Sequence, residues 1–300
     1  NTNNLTTLTL ASGTLKNVGQ INNGAGLTKT TAGTLTLAGA SSYTGVTTVS
    51  AGKLAVTNFG DGLTASALGL AGLAPANLVL ATGTTLGYVG AGETSARGFT
   101  VNDGATLDAS GAGAIAISSA AKVAFANSTA TRSLTLDGTS TGANSFGAGL
   151  SVGGTLDADK INLIVKNGVG TWIIANGETL KSTAEIDVNV GILGLAAGVL
   201  SANGRVVLAN GSTLRFESGN TDDLSDRVHF ANGASATLNF VSDVTFASAL
   251  TVDGATPATL VKSGAGKLTL AAANTSVAVT VTQGTVNVTN ASGLGTAATT

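Results

Sequence analysis

The sequence has no cysteine and no methionine, and in 300 residues it holds only two prolines, one histidine, one tryptophan and two tyrosines. Without cysteine there are no disulfides, no thiolate catalysis and no cysteine-ligated metal. Without methionine, Asn1 is not a translational start, and no basic-then-apolar leader is present. The expectation is an internal segment of a longer protein, with any targeting signal outside it. Charged residues make up 10% of the chain, against about 25% in an average soluble protein. The 14 basic residues are scattered singly and the formal net charge is −2, which leaves no electrostatic footprint for nucleic acid. No basic amphipathic stretch suggests a membrane surface. No run approaches the roughly 18 to 20 apolar residues of a spanning helix, so no membrane insertion by this segment is expected.

What is present is glycine, 42 residues of it, at the centre of a recurring unit. Ile186 and Val188 precede Gly191, and Leu193 and Leu195 follow it. Val206 and Leu208 precede Gly211, with Leu214 and Phe216 after. Val228 and Phe230 precede Gly233, with Leu238 and Phe240 after. Phe99 and Val101 before Gly104, and Val279 and Val281 before Gly284, repeat the arrangement. Alternation of period two means strand, and glycine supplies the turn. From Gly170 through Gly191 and Gly211 to Gly233 the intervals are 21, 20 and 22 residues. That spacing predicts a solenoid, whose units bury their apolar faces only by stacking on one another. Two or three short strands per coil, at about 4.8 Å per coil, give roughly 13 to 15 coils and a rod on the order of 60 to 70 Å long.

The period is uneven. Gly52 to Gly83 spans 31 residues, and the excess falls in 57–77, read as a loop or short helical turn leaving the shaft. Gly104 to Gly138 is also long, with 109–119 as its soft part, and 139–149 reads as a further loop. No break in composition marks a separate globular domain, so residues 1–300 are expected to form one continuous elongated domain.

A longer pattern occurs three times. Lys29-Thr30-Thr31-Ala32-Gly33-Thr34-Leu35-Thr36-Leu37 recurs as Lys166-Asn167-Gly168-Val169-Gly170-Thr171-Trp172-Ile173-Ile174, and again as Lys262-Ser263-Gly264-Ala265-Gly266-Lys267-Leu268-Thr269-Leu270. Each is followed by a second strand, at Gly52-Lys53-Leu54-Ala55-Val56, Gly191-Ile192-Leu193-Gly194-Leu195 and Gly284-Thr285-Val286-Asn287-Val288. The first copy also carries Tyr43-Thr44-Gly45 between its strands. This resembles the autotransporter-associated β-strand repeat, also called the passenger-associated transport repeat. Residues 27–56 match nearly throughout, with Thr31 in place of the first glycine. Residues 260–288 match both strands but lack the Tyr-Gly loop, and 163–195 match more loosely. The resemblance implies an all-β, right-handed parallel β-helix in a secreted or surface-displayed passenger of a Gram-negative bacterium. It also implies an outer-membrane β-barrel, C-terminal to this segment, as export partner.

Individual residues offer little chemistry. The charge-dense stretch 217–229 contains Asp222, Asp223, Asp226, Arg227 and His229. Its spacing fits neither an EF-hand nor a calcium-binding nonapeptide, and it reads as a solvated turn with local ion pairs. His229 alternates with Val228 and Phe230 and is expected to face outward. Asp157 and Asp159 are the other close acidic pair, read as two exposed acids and not as the paired acids of a glycosidase. Thr-x-Thr pairs such as Thr34 and Thr36 fit ordinary strand faces, because they do not recur at one position coil after coil. Trp172 takes the place of Leu35 and Leu268 and is expected in the core. Lys29, Lys166 and Lys262 fall at a turn, where they read as solvated charges that blunt edge aggregation. No catalytic, cofactor-binding or metal-binding residue is assigned. The function expected is a structural shaft supporting adhesion or cell–cell contact, whose partners are other copies of itself or a host or cell-surface ligand. The alternatives are a subunit of a self-assembling filament, sheath or surface layer and, least favoured, a carbohydrate-active β-helix enzyme.

Overall fold

The structure, a computed structural model, describes residues 10–19, 26–118, 120–126, 132–150, 160–177, 180–200 and 203–295. The chain divides into two compact units, Asn1–Ile161 and Asn162–Thr300. Each is a parallel β-solenoid. Among the described residues the single helical element is one 3-10 turn at Pro75–Asn77. None of their helices is long and apolar enough to cross a membrane.

In the first unit one face stacks Gly13–Lys16, Thr34–Ala38, Lys53–Val56, Thr85–Tyr88, Ala105–Ala109 and Ser133–Asp137. A second stacks Leu27–Lys29, Thr47–Val49, Leu78–Leu80, Phe99–Val101, Lys122–Phe125 and Gly149–Leu150. A third begins only at Ala91–Ser95 and continues with Gly113–Ile117 and Asn144–Phe146. Pairing is parallel and in register, so like residues lie over like. Leu35 pairs with Leu54, Leu54 with Leu86, Leu86 with Leu107 and Leu107 with Leu136. All five are buried, and each such side chain contributes about 1.5 to 3 kcal/mol of apolar transfer.

Three expectations about connections need correction. Residues 57–77 are a loop ending in a short helical turn at Pro75–Asn77, as read from the sequence, but they pack against the wall instead of leaving it. Phe59, Ala67, Leu68 and Ala71 are buried, Ser66 bridges Ser41, and Glu93 on the first third-face strand accepts the Phe59 and Gly60 amides. Within 109–119, Gly113–Ile117 is a strand paired with Ala91–Ser95. Within 139–149, Asn144–Phe146 pairs with that strand in turn, and Gly149–Leu150 starts another. Ala91–Ser95 has only small or polar side chains, whereas Ile115, Ile117 and Phe146 bury apolar side chains from the next two strands, and in-register pairing holds the three together.

In the second unit one face stacks Ile161–Lys166, Leu180–Val188, Arg205–Leu208, Val228–Ala231 and Thr251–Asp253. Another stacks Thr171–Ile174, Ile192–Leu195, Thr213–Phe216, Ser235–Phe240, Ala258–Ser263 and Val277–Val281. Val244–Phe246, Lys267–Leu270 and Thr285–Val288 form the third. Trp172 is 1% exposed and pairs with Leu193, which pairs with Leu214 and then Leu238. Phe216 stacks on Phe240 at 4.7 Å between ring centroids, and Phe246 meets Phe240 edge-on at 5.7 Å.

Candidate functional site

The most specific polar arrangement lies at the corners of the repeated motif, and the sequence reading had it inside out. Lys29, Lys166 and Lys262 are fully buried. They end, or nearly end, the strands Leu27–Lys29, Ile161–Lys166 and Ala258–Ser263. Alternation turns each inward, two residues after Leu27, Ile164 and Leu260. That alternation was the signal available in the sequence, and the lysine's usual place at the surface masked it.

A buried ammonium is tolerated only when its donors are satisfied; Lys166 and Lys262 find the same set of partners, and Lys29 finds a variant of it. Lys166 Nζ donates to the carbonyls of Asn167 at 2.6 Å and Gly168 at 2.8 Å, in its own turn, and to that of Val190 at 3.0 Å. Lys262 Nζ donates to Ser263 O at 2.9 Å, Gly264 O at 2.7 Å and Gln283 O at 2.9 Å. Lys29 Nζ donates to Thr31 O, to Thr31 Oγ1 at 2.9 Å and to Ala51 O at 3.4 Å. Burial pushes the Lys29 and Lys262 ammonium groups below the usual lysine value, and the Asp243 carboxylate works against this at Lys262.

Val190, Gln283 and Ala51 each precede a glycine of the next coil, namely Gly191, Gly284 and Gly52, with φ of +73°, +77° and +69°. A Cβ on Gly191 would lie 2.5 Å from Gly168 O and 2.6 Å from Gly170 O. Gly168 O is one of the carbonyls that Lys166 caps. Glycine is required here both for the left-handed turn and for the close approach of one corner to the next.

A family model described as Passenger-associated-transport-repeat matches residues 27–56 and 260–288. The Adhesin BmaC autotransporter of Brucella suis biovar 1 (strain 1330) is 32% identical over a 238-residue alignment that covers 74% of this chain. The chain is an autotransporter passenger segment. It spans 7% of the length of that relative. No solved structure matches the chain. The 163–195 copy lies outside the two family matches, yet its Lys166 corner has the geometry of the Lys262 corner. Membership implies the usual autotransporter architecture, with a C-terminal β-barrel outside these 300 residues.

Several of the passenger's other charged groups are likewise engaged in the wall. In the acidic turn, Asp222 Oδ2 accepts the Gly198 amide at 2.7 Å. Asp223 accepts from Ser225 N and Oγ with one oxygen and from Ala247 N with the other. Asp226 pairs with Arg227 at 3.5 Å, and Arg227 also donates to Leu200 O. These carboxylates cap amides of neighbouring coils as well as forming local ion pairs, which corrects the reading as a merely solvated turn. Among the described residues no group of three or more His, Cys, Asp or Glu is arranged to hold a metal. Asp157 and Asp159 lie outside the described residues.

His229 lies on the outward side of its strand, with Nδ1 at 2.7 Å from Asp253 Oδ1. Arg205 bonds Glu185 at 2.7 Å and reaches Asp253 at 3.5 Å across the intervening strand. Asp187 beside Glu185 is pushed above the usual carboxylate range, by burial first and then by the neighbouring Glu185 carboxylate to which it is hydrogen-bonded. Sequence reasoning also missed Arg97, which is 1% exposed. Its Nε donates to Phe59 O at 2.9 Å and its Nη1 to Ala71 O at 3.0 Å, pinning both limbs of 57–77. Its Nη2 has no hydrogen-bond partner among the described residues.

Proposed function

We propose that this segment is structural wall in a surface-displayed passenger and that it carries adhesive regions located elsewhere in the full protein. One observation carries the reading. The recurring lysines and the charge-dense acidic turn, which the sequence offers as the densest polar features, are bonded between coils. The family assignment supports a structural, non-enzymatic chain. The relative's name describes it as an adhesin, which supports a role in adhesion or cell–cell contact at the Gram-negative cell surface, with the C-terminal β-barrel as export partner.

The test is a display experiment with the full-length protein in its bacterial host. In-frame removal of the wall coils between residues 203 and 253 should leave a displayed protein with weakened attachment to cells or surfaces. Disruption of 260–288 should lower display more than disruption of 27–56. Unchanged attachment after coil removal, or equal display in the two disrupted forms, would count against the proposal.

A further inference from the structure

The apolar ladders of this wall hold the coils together but discriminate poorly among registers. Leu lies over Leu through five successive strands of the first unit. A slip by two residues in such a wall keeps apolar side chains on the inner face, since the side-chain period is two. A buried ammonium does not tolerate that slip, because its third donor then meets no carbonyl.

We propose that Lys29, Lys166 and Lys262 are register latches, each locking its own coil to the coil on its C-terminal side. Each lysine grips that coil's glycine corner from both of its ends. Its Nζ donates to the carbonyl before the glycine, at Ala51, Val190 or Gln283. Its main-chain carbonyl accepts amides of the same corner: Ser50 and Ala51 onto Lys29, Asn189 and Val190 onto Lys166, and Thr282 onto Lys262. The partner is 22, 24 or 21 residues away, and in all three copies it lies toward the C-terminus. The dependence is unequal. Gln283 is exposed and Val190 is 43% exposed, so water can serve those corners, whereas the lysines are fully buried and their ammonium groups are held by protein oxygens. The Lys262 ammonium also lies 5.6 Å from the Phe240 ring, and its position pairs with Leu238 and Val281 in otherwise apolar rows. It is thus the residue in that stack that distinguishes one register from the next. The latch concerns folding of the wall, and it stands or falls independently of whether the segment supports adhesion.

The absence of cysteine permits a direct test. Lys262→Cys is alkylated in the unfolded state with 2-bromoethylamine, which restores an ammonium of nearly lysine length, or with 1-bromopropane, which gives a neutral chain of the same length; both forms are then refolded. Amide hydrogen exchange is followed at Thr282, with Ser212 in a distant turn as control. The expected result is exchange at Thr282 at least about tenfold faster in the propyl form than in the aminoethyl form, with Ser212 unchanged. Refolding of the aminoethyl form alone would support the latch equally. Equal protection at Thr282 in both forms, equal loss at Thr282 and Ser212, or failure of the aminoethyl form to refold would overturn it. Lys166→Met should open the corner at Asn189 and Val190 while leaving Thr282 protected.

Discussion

Two glycines in the second unit separate the cost of a left-handed turn from the cost of crowding the next corner. Gly191 and Gly211 have nearly the same backbone, with φ of +73° and +78°. A Cβ on Gly211 would meet nothing within 4 Å, whereas one on Gly191 would meet Gly168 O and Gly170 O at 2.5 and 2.6 Å. Gly211→Ala therefore carries only the left-handed strain, about 1 to 2 kcal/mol. About 0.4 to 1 kcal/mol of this is offset by the reduced freedom of the unfolded chain. Gly191→Ala carries the same strain and must also push aside a carbonyl held by Lys166, an overpacking cost of about 1 to 3 kcal/mol. The expected difference between the two variants is about 2 kcal/mol in urea unfolding, with Asn189 and Val190 losing exchange protection only in Gly191→Ala. If the two substitutions destabilise equally, the close approach of the corners contributes nothing to stability.

Three further outcomes follow from the same geometry. Phe240→Ala removes the centre of the Phe216, Phe240 and Phe246 cluster and should cost about 3 to 5 kcal/mol in chemical denaturation. Arg97→Met leaves Phe59 O and Ala71 O without their donor, so exchange within 57–77 should rise about tenfold or more while Thr282 is unaffected. Burial lifts the Glu93 carboxyl above its ordinary value of 4.5, despite the Phe59 and Gly60 amides it accepts. A raised folded value means that the native state binds the extra proton, so this contribution is complete below about pH 4.5 and is lost as pH rises through the folded value. Protection of 57–77 should thus strengthen on acidification from neutral toward pH 4.5, and Glu93→Gln should flatten that dependence.

The solenoid was legible because alternation and glycine spacing are periodic signals, and Ile186, Val188, Gly191, Leu193 and Leu195 carry them without tertiary help. The third face of the first unit was not legible. Ala91–Ser95 offers small or polar side chains with little strand propensity and becomes a strand by pairing in register with Gly113–Ile117, whose short alternation of Ile115 and Ile117 is set among glycine and alanine. The inward lysines are a different kind of miss. Alternation from Leu27 to Lys29 pointed to the core, but the sequence does not show whether a corner of carbonyls awaits an ammonium there. Arg97 carried no signal at all, because its partners Phe59 O and Ala71 O are main-chain atoms 38 and 26 residues away.

A chain with one charged residue in ten still places three lysines where burial is most costly, and stability alone does not explain this. Replacing a buried charge by an apolar side chain of similar volume is often neutral or stabilising. If cohesion were the requirement, leucine at position 29 would continue the row of Val49, Leu80 and Val101, and leucine at position 262 that of Leu193, Leu214 and Leu238. What leucine cannot do is distinguish the correct neighbouring corner from another of similar shape. The ammonium can, because its third donor is satisfied by one carbonyl at one height of the wall. A wall assembled from near-identical coils has many almost equivalent ways to stack, and a few intolerant positions distributed along it remove most of them. On this argument the family repeat is a unit of register as much as a unit of shape, and its lysine and its glycine are two halves of one contact.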